Sequence, residues 1–238
     1  MSRIDSSANR RHFFKQGLQA GILTGISGLV LFSGCSSGAG EEKKVSPPED
    51  LMQEHGLLNR ILLIYDHGLQ QLALGQNADL SVLNASAQII RKFVEDYHEK
   101  QEEDYFFPRF KKANQLTGLV DTLLAQHNAG RQITDQVLQL TKGISLNAAE
   151  NSQLANLLTT FNRMYRPHEA REDTVLFPAF RNLVSQHEYD SLGEEFEDNE
   201  QKHFGQDGFE TMVDRVTEIE KKIGIYDLNQ FTPTIAPV

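Results

Sequence analysis

His98-Glu-Lys-Gln-Glu-Glu-Asp-Tyr-Phe-Phe-Pro-Arg-Phe110 aligns without a gap on His168-Glu-Ala-Arg-Glu-Asp-Thr-Val-Leu-Phe-Pro-Ala-Phe180. Six of the thirteen positions agree, and the shared residues are His, Glu, Glu, Phe, Pro and Phe. Amphipathic helices share Leu and Glu by chance, but not a potential cation ligand followed at constant distance by a proline. In both copies a Glu stands four residues after the His, Glu102 after His98 and Glu172 after His168. Four residues of α-helix turn about 40° past a full turn and rise about 6 Å, so each pair shares a face and can grip one or two adjacent ions.

The apolar spacing around both copies is helical. Ala87, Ile90, Val94, His98 and Tyr105 form one stripe, which predicts a helix over about residues 80–107, ended by Pro108 because proline lacks a donor. Leu154, Leu158, Phe161, Tyr165 and His168 place another over about residues 148–177, opened by the capping pair Asn147 and Glu150. Upstream, His55, Leu58, Leu62, Tyr65 and Leu69 predict a helix over about residues 50–73. Between the copies, Val120, Leu124, His127, Thr134 and Leu138 predict one over about residues 116–142. Short connectors make these four antiparallel neighbours, an all-α, up-down four-helix bundle over residues 51–185. Ser185 with Glu188 begins a further helix to about residue 202, and another runs from about residue 206 to Gly224. This short C-terminal pair, residues 186–226, is expected to pack on the bundle, and residues 227–238 form a tail.

Each of the four long helices carries one His on its apolar stripe: His55, His98, His127 and His168. A single His there is ordinarily a core residue bonded to a carbonyl. Four converging in one bundle would all have to stay neutral and satisfied, and a metal ion meets that requirement because neutral imidazole is a preferred ligand. His67, His187 and His203 fall off these stripes and read as surface residues, as does the acidic run Glu194, Glu195, Glu197, Asp198 and Glu200. Tyr65, Tyr105 and Tyr165 read as inward aromatic residues with bonded hydroxyls.

Composition sets the outer bounds. The chain has 238 residues, 39% of them apolar, no Trp and only 7 Pro, which suits helices and a substantial core. After residue 34 it carries 19 basic against 32 acidic residues, a net of −13 that repels phosphate backbones and argues against nucleic-acid binding. One Cys excludes an intramolecular disulfide, a Cys-based zinc site and an iron–sulfur cluster, so any metal is held by His and carboxylate.

The N-terminus reads as an address. Asn9-Arg10-Arg11-His12-Phe13-Phe14-Lys15 resembles a twin-arginine signal, and Leu31-Phe32-Ser33-Gly34-Cys35 resembles a lipoprotein box whose Cys35 receives the lipid. The apolar run of residues 18–32 is shorter than the roughly 20 a membrane-spanning helix needs. Phe32 stands where an aliphatic residue is usual, which leaves plain cleavage as the alternative. Residues 1–35 are thus expected to direct export, and residues 36–50 to tether the bundle to the periplasmic or outer envelope face, with a lipid anchor as the sole membrane contact.

Taken together, the His on the first helix, His-Glu-x-x-Glu running into Phe-Pro on the second and fourth, and the His on the third resemble the hemerythrin-like, HHE cation-binding family over residues 50–185. The resemblance implies a four-helix bundle holding non-haem iron, two irons bridged by carboxylates or a single one, that binds O2 or another small diatomic or peroxide ligand. By the same resemblance His55, His98, Glu102, His127, His168 and Glu172 are the ligands, with Glu102 and Glu172 as bridges. Glu99 and Glu169 are either extra ligands or solvated acids on the next face.

Two departures shift the expected chemistry. Oxygen-carrying hemerythrins have a second His one turn after the first on the third helix, where this chain has Arg131, and they use His-x4-Asp where this chain has His168-x3-Glu172. A guanidinium cannot ligate a cation, so Arg131 either bonds a site carboxylate or points to solvent. Fewer imidazoles and more carboxylates favour sensing of O2 or nitric oxide, iron handling or oxidation over oxygen transport. An oxidase or peroxidase of ferritin-like type is the competing reading, supported by Glu95-x-x-His98 but not by its counterpart, where Tyr165 precedes His168 by three. A structural bundle holding zinc or no metal is the third. The sequence leaves the oligomeric state open.

Overall fold

A computed structural model describes residues 45–235; the export signal, Cys35 and the tether up to residue 44 lie outside the described residues. The described residues are helical, with no strand among them. Helix α1 (Pro47–Ala73) opens with a reciprocal cap in which Glu49 N donates to Ser46 Oγ and Ser46 N to the Glu49 carboxylate. Residues 47–50, assigned above to the tether, therefore form its first turn, with Pro47 where a missing N–H costs nothing.

Helix α2 (residues 80–113) is one rod containing two π-helical stretches, Ile90–His98 and Glu102–Phe106. Pro108 does not end it. A proline clashes with the carbonyl four residues back, and the wide turn of Glu102–Phe106, in which Phe107 N donates to Glu102 O, relieves that clash before the α-helix resumes at Phe107–Ala113. Asn114, in the left-handed region at φ 51°, ends the rod. Helix α3 (Thr117–Leu140) follows. Helix α4 (residues 148–180) begins at the expected Asn147–Glu150 capping box and repeats the device of α2: a π stretch at Glu172–Leu176, then Phe177–Phe180 across Pro178. Helices α5 (Gln186–Phe204, capped by Ser185) and α6 (Gly208–Ile223, ended by Gly224) complete the fold before a short 3₁₀ turn at Leu228–Phe231 in the tail.

Helix α1 packs on α4, α4 on α3 and α3 on α2, while α5 and α6 pack on each other and on α1, and α6 also meets α2. The C-terminal pair thus covers the α1–α2 side, with Phe204 and Phe209 set against Phe93 and Tyr97. Two apolar clusters fill the interior. One holds Leu58, Leu62, Phe93, Val137, Leu158 and Phe161; the other holds Leu51, Phe106, Phe110, Leu123, Phe177 and Phe180, with Phe106 stacked on Phe180 at 3.8 Å. A polar layer lies between them. Burying an aromatic side chain in either cluster contributes roughly 3 kcal/mol, and this brackets the polar layer with rigid walls.

Candidate metal centre

Every long helix contributes to the polar layer: His55 from α1, His98 and Glu102 from α2, His127 from α3, His168 and Glu172 from α4. The imidazoles are at most 4% exposed and both carboxylates are fully buried, so water does not solvate them. The six residues that the family resemblance singled out are brought together. Glu102, His127, His168 and Glu172 offer ligand atoms all within 4.8 Å of one another, and so do His55, His98 and Glu102. Glu102 belongs to both of these groups, and His127 also to a third, with Glu99 and Glu103.

The imidazoles are oriented. Nε2 faces inward: His168 Nε2 lies 3.1 Å and His55 Nε2 3.4 Å from Glu172 Oε2, while His127 Nε2 lies 3.3 Å from Glu102 Oε2 and His98 Nε2 3.8 Å from Glu102 Oε1. Nδ1 faces outward to an oxygen in each case. His55 Nδ1 donates to Asp173 Oδ1 at 2.8 Å, His98 Nδ1 to Glu54 Oε2 at 2.7 Å, His127 Nδ1 to Glu103 Oε1 at 3.2 Å and His168 Nδ1 to Gln126 Oε1 at 2.9 Å. An ionised carboxylate or amide oxygen only accepts, so a neutral ring holds its proton on Nδ1 and keeps the Nε2 lone pair for the centre. Phe177 stacks on His55 and Phe107 on His127, each with centroids 5.5 Å apart, which fixes the ring planes.

Four outer acceptors were not singled out from the sequence, although the repeat held a signal for them. Glu103 and Asp173 occupy equivalent positions in the two copies, and Glu54 and Gln126 each immediately precede a stripe His. The structure relates the α1–α2 pair to the α3–α4 pair by this correspondence. Asp173 also stands at the oxygen carriers' His-x4-Asp spacing from His168, yet it turns to His55 Nδ1 rather than into the centre.

Glu99 and Glu169 are not solvated: they are 1% and 2% exposed. Glu99 accepts from Tyr165 Oη at 2.7 Å and pairs with Arg131 Nη2 at 2.7 Å, and Asn59 Nδ2 donates to Glu169. Arg131 also bonds Glu103 at 2.7 Å, which settles its alternatives in favour of carboxylates. Gly130 makes room for this network, because a Cβ there would lie 2.0 Å from Tyr165 Oη. Tyr105, read as inward, instead donates to Glu195 of α5, and Glu200 of the acidic run is buried where Phe209 N donates to it.

The electrostatics fit a bound cation. Neither oxygen of Glu102 or of Glu172 receives an aligned hydrogen bond, nor does His127 Nε2 donate one. Such buried polar atoms cost free energy unless paired. Protons take the place of positive charge where they can. Burial and the Glu172 charge push Glu102 up, while Glu172, despite burial, is held low by His168 and His55. Burial opposes a charge on His127, but the Glu102 and Glu103 carboxylates raise it to about 10, and burial pushes Glu169 up to about 8 and His98 down to about 4. Imidazole and carboxylate donors of this kind suit iron, manganese or zinc, and a cation would satisfy the inward atoms at once.

Residues 46–180 match the hemerythrin HHE cation-binding domain family. The chain is similar to the uncharacterized protein Rv1995 of Mycobacterium tuberculosis and to the uncharacterized protein Mb2018 of Mycobacterium bovis, each 42% identical over 242 residues that span 96% of this chain and 92% of the relative. No solved structure matches it. With four inward imidazoles around two buried carboxylates and more than half of its length matched, the chain belongs to the hemerythrin HHE cation-binding family.

Proposed function

We propose that this chain is a dinuclear non-haem iron protein that binds O2 or a related diatomic or peroxide ligand at the cell envelope. In this reading it is exported by residues 1–35 and held by a lipid on Cys35. The observation that carries it is the orientation of the four imidazoles, whose Nε2 atoms surround two shared carboxylates while each Nδ1 is held outside. Glu102, common to both ligand groups, supports two cations over one. His127 and His168 would complete one position and His55 and His98 the other, with Glu172, whose Oε2 lies 3.1 Å from His168 Nε2 and 3.4 Å from His55 Nε2, shared as Glu102 is. Ferrous iron, when bound, supplies electron density to a diatomic ligand. The residues present orient the donors and exclude water. One apolar cluster draws on the N-terminal parts of α1 and α3 and the C-terminal parts of α2 and α4, which supports an up-down antiparallel order.

Binding is favoured over ferritin-like oxidation by Glu95. This acid of the Glu-x-x-His motif is outside the convergent ligand groups and pairs instead with Arg91 Nη1 at 2.9 Å. Iron-loaded protein kept under argon should develop a new visible absorption band when O2 or nitric oxide is admitted, and lose it on purging. Steady consumption of O2 with no stable band would replace this reading with the oxidase.

A further inference from the structure

The correspondence between the two halves of the centre is broken at positions outside the ligands. On the α1–α2 side, His98 Nδ1 is held by Glu54; the equivalent contact on the α3–α4 side, at His168 Nδ1, is made by the amide of Gln126. Where Arg131 bonds Glu99 and Glu103 beside His127, the equivalent residue beside His55 is Asn59, whose amide donates to Glu169 and leaves Asp173 without a neighbouring guanidinium at this contact. The groups that hold Nδ1 of His55 and His98 are two carboxylates, Asp173 and Glu54. Those that hold Nδ1 of His127 and His168 are one carboxylate, Glu103, and one amide, Gln126, with the Arg131 guanidinium bonded to Glu103.

Both differences act in the same direction on a cation. A carboxylate that accepts Nδ1–H makes Nε2 more basic than an amide does, and loss of such an outer partner costs about 10- to 100-fold in metal affinity. The Arg131 guanidinium, 20% exposed at the edge of the layer, repels a nearby cation where its neutral counterpart Asn59 does not, and partial burial leaves that repulsion only partly screened. We infer that Glu54, Gln126 and Arg131 make the two cation positions unequal, so that the His55–His98 position fills first and the His127–His168 position fills second and exchanges faster. This rests on the reading of the site as dinuclear. It makes the chain a one-cation protein when metal is scarce and a two-cation protein when it is plentiful.

Calorimetric titration of the chelator-stripped, full-length chain with ferrous iron under argon tests the order. The wild type should bind in two steps whose affinities differ by about 10-fold or more, beyond the statistical ratio of two identical sites. Glu54→Gln should weaken the first step until the two merge, with the second unchanged. Gln126→Glu should strengthen the second step alone, a gain that a merely structural role for the side chain would not produce and that does not depend on how well the Glu54 variant folds. Two wild-type steps separated only statistically, or a Gln126→Glu variant with an unaltered second step, would overturn the inference while leaving the metal centre standing. A wild type that binds no iron, or one iron only, would overturn both.

Discussion

Glu102→Ala is expected to leave the purified chain with less than about a tenth of its wild-type metal, because removing even an outer partner costs about 10- to 100-fold and a shared ligand costs more. Glu102 is fully buried on α2, stands four residues after His98, and is the residue shared by the His55–His98 group and the His127–His168 group. Its two oxygens face His98 on one side and His127 on the other, at 3.8 and 3.3 Å. Alanine there removes one carboxylate from both cation positions together. It also removes a buried carboxyl group that has no aligned hydrogen bond in the metal-free protein, so the variant should fold and the metal loss should not be a by-product of unfolding. Elemental analysis per chain checks this, with circular dichroism to verify the helices and Glu197→Ala, an exposed acid on α5, as the control. Full metal content in a folded Glu102→Ala protein would remove Glu102 from the site.

The second large effect is thermal. Stripping the metal should lower the melting temperature by about 8–16 °C, since a cation held at a thousand times its Kd stabilises by about 4 kcal/mol and a domain of this size moves about 2–4 °C per kcal/mol. The physical cause is that four carboxylate oxygens and an imidazole nitrogen, sealed between two apolar clusters, have no aligned hydrogen-bond partner without a cation. Differential scanning calorimetry before and after dialysis against a chelator, and again after metal is restored, measures it. An unchanged transition in the stripped protein would mean that protons on the buried carboxyls and imidazoles compensate fully. The site would then contribute nothing to holding the helices together.

Much of this could be read from the chain alone because helical periodicity and ligand spacing are the same signal. One His per apolar stripe put His55, His98, His127 and His168 in the interior, and the two His-x3-Glu pairs brought Glu102 and Glu172 with them. Capping pairs located the starts of α4 and α5 to the residue. The ends were less legible. Pro108 and Pro178 read as terminators because a proline in regular α-helix collides with the preceding turn, and periodicity does not reveal the π stretches that carry both helices past them.

Burial of Glu99 and Glu169 was hidden for a different reason. A residue next to a ligand on the helix is turned about 100° away, which puts it outside the apolar stripe. Whether that face meets water depends on its neighbours. Here it meets Arg131 and Tyr165 on one side and Asn59 on the other, partners 32, 66 and 110 residues away in the chain, which spacing within a single helix cannot disclose. The outer acceptors of the four Nδ1 atoms share this property, since every one of them lies on a different helix from the imidazole it holds.

The proposed centre is a pair of irons between the four helices. Elemental analysis of protein purified without added metal, with the electronic spectrum recorded in air and after reduction, tests it most directly. A di-iron centre requires about two irons per chain, held by the imidazole and carboxylate donors of the polar layer, and a near-ultraviolet charge-transfer band that bleaches on reduction. One zinc, or no metal, with no such band would contradict it and leave the helices as a scaffold without the chemistry.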